Sequence, residues 1–183
     1  MDDSIATLID TLDSHDNQAR CQALFDLQAR TELPVDWAYT FWDQLAAKLD
    51  SKNAFDRAIG MFLLCNLAQS DPEKRLDRVL PALLAMTEDQ KFIPRRQTIH
   101  TIWKVAYFRP DLREAVTHKL IERFAACVNE EHPNLIRRDI VQSLLTLAEL
   151  THDETLTAQV DQLIRSEPDE KERKKLLETH PAQ

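Results

Sequence analysis

Apolar residues recur along the whole chain at the spacing of one helix face. Ile5, Leu8, Ile9 and Leu12 form a first stripe, Ala23, Leu24 and Leu27 a second, and Ala38, Phe41, Trp42, Leu45 and Leu49 a third. Met61, Leu64, Leu67 and Ala68 follow, then Leu76, Val79, Leu80, Leu83 and Leu84, then Ile99, Ile102, Val105 and Ala106. Leu112, Ala115, Val116, Leu120 and Phe124, then Val141, Leu144, Leu147 and Ala148, then Leu156, Val160 and Leu163 complete the series. Residues 169–178 add a short, charged segment. Such three-and-four spacing marks amphipathic helices. The β-branched and aromatic clusters that mark strands are missing.

Proline punctuates these segments. Ser70-Asp71-Pro72-Glu73, Arg109-Pro110-Asp111 and Glu167-Pro168-Asp169 predict helix starts, because proline near the first turn loses no hydrogen bond. Pro34 and Pro133 are expected to do the same. Pro81 falls inside a stripe and should kink its helix.

The segments also repeat. Setting Arg57, Arg95 and Arg137 in register places Met61, Ile99 and Val141 four residues on, and Leu64, Ile102 and Leu144 seven on. Leu67, Val105 and Leu147 stand ten on, and Ala68, Ala106 and Ala148 eleven on. Arg20 begins a fainter copy with Leu24 and Leu27, and the arginines are 37, 38 and 42 residues apart. Over residues 2–166 this register resembles the HEAT/armadillo repeats, in which an outer A helix, often proline-kinked, precedes an inner B helix opening with a basic residue. No clear acidic partner precedes each arginine, which departs from that pattern. The Trp-Leu-Gly-Tyr signature of tetratricopeptide repeats is missing. The resemblance implies an all-α fold, a right-handed α-α superhelix of about four to five helix pairs. Residues 1–166 would form the repeat domain and 167–183 a charged, solvated C-terminal helix, with the acids Asp2, Asp3, Asp10 and Asp13 and the charged tail as polar caps. B helices would line the concave, partner-binding side.

Composition narrows the chemistry. The 183 residues contain one glycine, Gly60, which argues against hairpin-rich folds, dinucleotide folds and phosphate-binding loops. Formal net charge is -8, unevenly spread. Residues 1–50 hold ten acids and three bases, whereas residues 91–119 hold seven bases and two acids. That polarity also allows one copy to associate with another. Cys21, Cys65 and Cys127 are widely separated and odd in number, and are expected to be buried, reduced hydrophobes. No apolar run is long enough to span a membrane, and the start of the chain lacks a signal-peptide pattern. A cytoplasmic location and no membrane partner are expected.

No catalytic constellation emerges. The histidines at 15, 100, 118, 132, 152 and 180 lack metal-ligand spacing, and His132 is expected in a solvated loop. No cofactor, no metal and no enzymatic activity are expected. Arg20, Arg57, Arg95 and Arg137 favour a structural role, tying repeats through carbonyls and carboxylates at the inter-repeat turns. Contact with phosphates or acidic side chains in the groove is the alternative. Beside them, Arg96, His100, Trp103 and Tyr107, with Arg138 and Gln142, form a stripe able to grip a peptide or stack on bases. A further set should face the groove: Gln22 and Asp26, then Ile59, Leu63 and Asn66, then Gln97, Thr101 and Lys104, then Asp139, Ser143 and Thr146. Exposed Ile59 and Leu63 would make a local patch for a partner helix.

The expected function is a non-enzymatic adaptor or scaffold holding a protein or peptide, through Arg96, His100, Trp103, Lys104, Arg138, Gln142, Ile59 and Leu63. The alternative is nucleic-acid binding. Phe92-Ile93-Pro94-Arg95-Arg96 through Trp103 is similar in style to one repeat of the HEAT-like DNA alkylation-repair glycosylases, although the acidic overall charge opposes that reading and no catalytic aspartate can be placed.

Overall fold

The computed structural model describes residues 3–179, apart from the side chain of Asp3. Asp2, the Asp3 carboxylate and His180 thus lie outside the described residues. Their regular structure is all helical, with no strand among the described residues. The chain divides into two compact units, Met1–Ala82 and Leu83–Gln183.

The first unit contains α1 (Asp3–Thr11), α2 (Asn17–Arg30), α3 (Ala38–Lys48) and α4 (Ala54–Asn66), followed by a 3-10 turn, Leu67–Ser70. α1 packs on α2, α3 on α4, and α2 on α4. Asp16 and Asn53 cap α2 and α4 by accepting from Gln18 and Ala19, and from Phe55. Each cap satisfies backbone donors that the first helical turn leaves open. α5 (Leu76–Ala85), which carries Pro81, begins in this unit and ends in the next.

The lone glycine has a packing cause. A Cβ built on Gly60 would lie 2.8 Å from the Leu45 carbonyl oxygen and 3.1 Å from the Lys48 Cβ. α4 therefore approaches the α3 backbone more closely than any side chain allows, and glycine is kept despite its cost of about 1 kcal/mol inside a helix.

The second unit contains α6 (Phe92–Thr101), α7 (Trp103–Phe108), α8 (Arg113–Ala126), α9 (Pro133–Thr151), α10 (Glu154–Ser166) and α11 (Glu170–Leu177). α9 is the centre of this unit: it packs against α6, α7, α8, α10 and α11. The stripe expected as one helix through Ile99 and Ala106 is broken at Ile102 into α6 and α7. His132 starts α9 and His152 ends it, both left-handed at φ 52° and 53°. The chain therefore turns there without glycine, at the usual steric penalty for a side chain with positive φ.

The repeat register predicts the core. Every residue placed four, seven, ten and eleven positions after Arg57, Arg95 and Arg137 is at most 3 % exposed. Other expectations need correction. Pro133 opens α9, Pro110 opens the 3-10 turn that leads into α8, and Pro168 stands just ahead of the Asp169 cap of α11, as expected, but Pro34 lies in the link before α3 and Pro72 in the turn before α5. Cys65 and Cys127 are buried, whereas Cys21 is only half-buried. α11 is not merely solvated: it packs on α9 and α10 and buries Leu176.

Candidate interaction face on α6, α7 and α9

The arginines of the repeat register hold the turns that precede their helices. In the first unit, Arg20 donates Nε to the Leu12 carbonyl at 2.8 Å and its Nη2 pairs with Asp56. Arg57 donates Nη1 to the carbonyls of Ser51 and Lys52. In the second unit, Arg95 donates Nε to the Asp89 carbonyl at 2.8 Å and Nη1 to Glu130 at 2.6 Å. Arg137 donates Nε to the Phe124 carbonyl at 3.0 Å and Nη1 to Glu167 at 2.5 Å. A guanidinium has donors on two edges, so one side chain serves a carbonyl and a more distant carboxylate together. The structural reading of these arginines describes these contacts.

The expected lack of acidic partners is overturned. Glu130 stands seven residues before Arg137, and it receives Arg95 from the preceding helix pair. Glu167 stands six residues before Arg173, and it receives Arg137. Arg173 is a fifth member that the sequence reading passed over; it donates Nη1 to the Glu167 carbonyl at 2.9 Å. Its distance of 36 residues from Arg137 was the available signal.

One position further along α6, Arg96 meets α9 instead. Its Nε and Nη2 donate to the two oxygens of Asp139 at 2.5 and 2.8 Å, and His100 Nε2 lies 2.9 Å from Asp139 Oδ1. The Asp139 side chain is 3 % exposed, while Arg96 and His100 keep 30 % and 36 %. Burial pushes the Asp139 carboxyl up, but the hydrogen bonds from Arg96 and His100 and their charges outweigh it and hold it below its ordinary value. The same pair raises the Arg96 guanidinium, chiefly through the Asp139 hydrogen bond.

Several residues expected on the groove lining are instead packed. Ile59 and Leu63 are 0 % and 1 % exposed, so they form no patch for a partner. α4 packs against both α2 and α3. Asn66, Thr101, Asp139, Ser143 and Thr146 are likewise buried. On α9, which packs against α6 and α7, Asp139 is taken by Arg96 and His100 of α6.

The adjacent flank stays open. Arg138 is exposed and Gln142 half-exposed, one turn apart on α9. Trp103, Lys104 and Tyr107 are half-exposed on α7, with the Trp103 and Tyr107 rings edge-on at 6.4 Å and the Lys104 ammonium 5.9 Å from the Trp103 ring. Arg96 and His100 lie on α6 ahead of them. α9 packs on α6 and α7 and is tied to α6 at Asp139, and each of the three helices keeps cationic or aromatic side chains partly exposed. Arg138 also borders a cleft of about 400 Å³ that includes Leu135, Lys175 and Leu176.

Among the described residues, no group of histidine, cysteine, aspartate and glutamate could hold a metal, and no helix is long and apolar enough to cross a membrane. His132 is exposed, as expected. The fold and this face define an all-helical protein whose most distinctive surface joins cations to aromatic rings. No protein-family model matches the chain, and no curated protein matches it.

Proposed function

We propose that this protein is a helical-repeat interaction module of the HEAT/armadillo kind, without catalytic activity, that holds an acidic segment of a partner protein against α6, α7 and α9. The carrying observation is that Trp103, Lys104 and Tyr107 on α7 and Arg138 and Gln142 on α9 keep exposed surface on helices that pack together, α9 being tied to α6 by the Arg96–Asp139–His100 cluster. Cations on a rigid, partly apolar surface recognise a carboxylate-bearing peptide through charge, and half-exposed rings provide area for its side chains at little entropy cost. The arginine contacts repeated within each unit support the repeat reading, since one device at successive turns is what stacked equivalent pairs require.

The test is fluorescence titration with acidic peptides, comparing wild type with an Arg138→Glu variant. The Arg138 side chain is exposed, so its reversal should spare the fold. Peptide affinity is expected to fall about tenfold or more. Equal affinity in both proteins removes this face as the site. Single-stranded nucleic acid is the competing ligand, because bases also stack on aromatic rings beside cations. Binding of an oligonucleotide at low salt, with none of the acidic peptides bound, would replace the peptide reading.

A further inference from the structure

At α11 the arginine contacts of the second unit are incomplete among the described residues. Arg95 and Arg137 each use one edge for a carbonyl of the preceding turn and another for a carboxylate 35 and 30 residues on. Arg20 does the same with Leu12 and Asp56. Arg173 makes the first contact, to the Glu167 carbonyl, and no carboxylate among the described residues pairs with it. A second observation agrees. The residue four positions after the arginine is buried in each earlier case: Leu24 is 4 % exposed, and Met61, Ile99 and Val141 are 0 % exposed. Its counterpart on α11, Leu177, is 65 % exposed. α11 therefore presents a guanidinium edge and an apolar side chain in the register that other helix pairs occupy.

We infer that this face of α11 docks the α1–α2 turn of a second copy of the chain, with Arg173 of one copy pairing with Asp13 of the next. Position and charge single out that turn. Asp13 stands seven residues before Arg20, as Glu130 stands seven before Arg137, and Glu130 is the carboxylate that Arg95 takes. Asp10, Asp13 and Asp16 are all exposed around it. On α11, Lys171 and Lys174 are exposed beside Arg173, while Lys175 pairs with Glu172, and Glu170 and Glu178 are exposed as well. Asp13 already pairs with Lys48 and accepts from Gln44, and its side chain remains 58 % exposed. The two oxygens of a carboxylate have about four lone-pair sites, so a further donor still finds an acceptor there. The contact is heterologous, head to tail, so association should continue beyond a dimer as concentration rises. This inference stands on the arginine register and is independent of the peptide face on α6, α7 and α9.

Sedimentation velocity over a concentration series at low and high salt tests it. The wild type should associate, and salt should weaken the association by screening the exposed charges. Leu177→Glu should be monomeric; the side chain is exposed, so an unchanged circular dichroism melt separates lost docking from lost folding. Arg173→Asp and Asp13→Arg should each be monomeric alone, and an equimolar mixture should recover association, because each altered residue then meets its opposite charge. A monomeric wild type at the highest concentration overturns the inference. So does association that survives Leu177→Glu, or a mixture that stays monomeric although both variants are folded.

Discussion

Arg96 and Asp139 are joined by two parallel hydrogen bonds, Nε to Oδ2 at 2.5 Å and Nη2 to Oδ1 at 2.8 Å, across the contact between α6 and α9. The carboxylate is buried and the guanidinium half-exposed. The pair thus ties α6 to α9 at a buried carboxylate. It also sets the controls for any binding experiment: changing Arg96 strands a buried charge, whereas changing Arg138 does not.

Replacing Asp139 by alanine leaves Arg96 and His100 without their shared acceptor. Loss of one partner from a buried ion pair costs roughly 3–5 kcal/mol, and the partial exposure of Arg96 should bring the value toward the lower end. Urea denaturation measures it. A change below about 1 kcal/mol, the scale of exposed pairs, would mean that the pair is not organised as described.

Acid should destabilise the protein through Asp139 and Glu130. Hydrogen bonding from Arg123 lowers the Glu130 carboxyl against the opposing effect of burial, with help from the Arg123 and Arg95 charges. Asp139 is lowered as well, its hydrogen bonds and neighbouring charges overcoming burial. In the unfolded chain both return to ordinary carboxylate values, about 4. As pH falls, the unfolded state takes up these protons first. Their contribution is therefore complete above about pH 5 and drains away as pH falls toward the lowered native values. The urea midpoint should drop between about pH 5 and 3, and Asp139→Asn, already weakened at neutral pH, should drop less. A wild-type midpoint constant over that range contradicts the assignment.

Gly60→Ala should destabilise the protein although alanine is the better helix former. The gain in propensity is about 1 kcal/mol. Against it, the new methyl lies 2.8 Å from the Leu45 carbonyl oxygen, a backbone atom with little freedom to yield. Overpacking costs typically 1–3 kcal/mol, so a net loss of about 1 kcal/mol is expected. A raised thermal midpoint would show that α3 and α4 separate easily.

Arg137→Lys should recover little of what Arg137→Ala loses. Arginine spans the Phe124 carbonyl and the Glu167 carboxylate together, and Glu167 is 3 % exposed. A lysine offers one ammonium, which cannot reproduce both geometries. The alanine variant should lose about 3 kcal/mol, and lysine should restore less than half. Full restoration would show that charge alone holds the turn.

The sequence by itself determined the helices and the core. Spacing at three and four residues encodes which side of a helix must leave water, and that is local information. Hence the aligned positions from Met61 to Ala148 were legible as buried before any contact was known. What it left undecided was the fate of the flanks beside each apolar stripe. A flank is covered or open according to which distant helix lies against it, and that depends on packing between segments 30 to 43 residues apart. Tertiary structure alone therefore buried Ile59, Leu63 and Asp139, gave Arg96 its partner, and left Arg138 open one residue away from Asp139. A single step along a helix turns a side chain by about 100°, enough to pass from a helix contact into solvent.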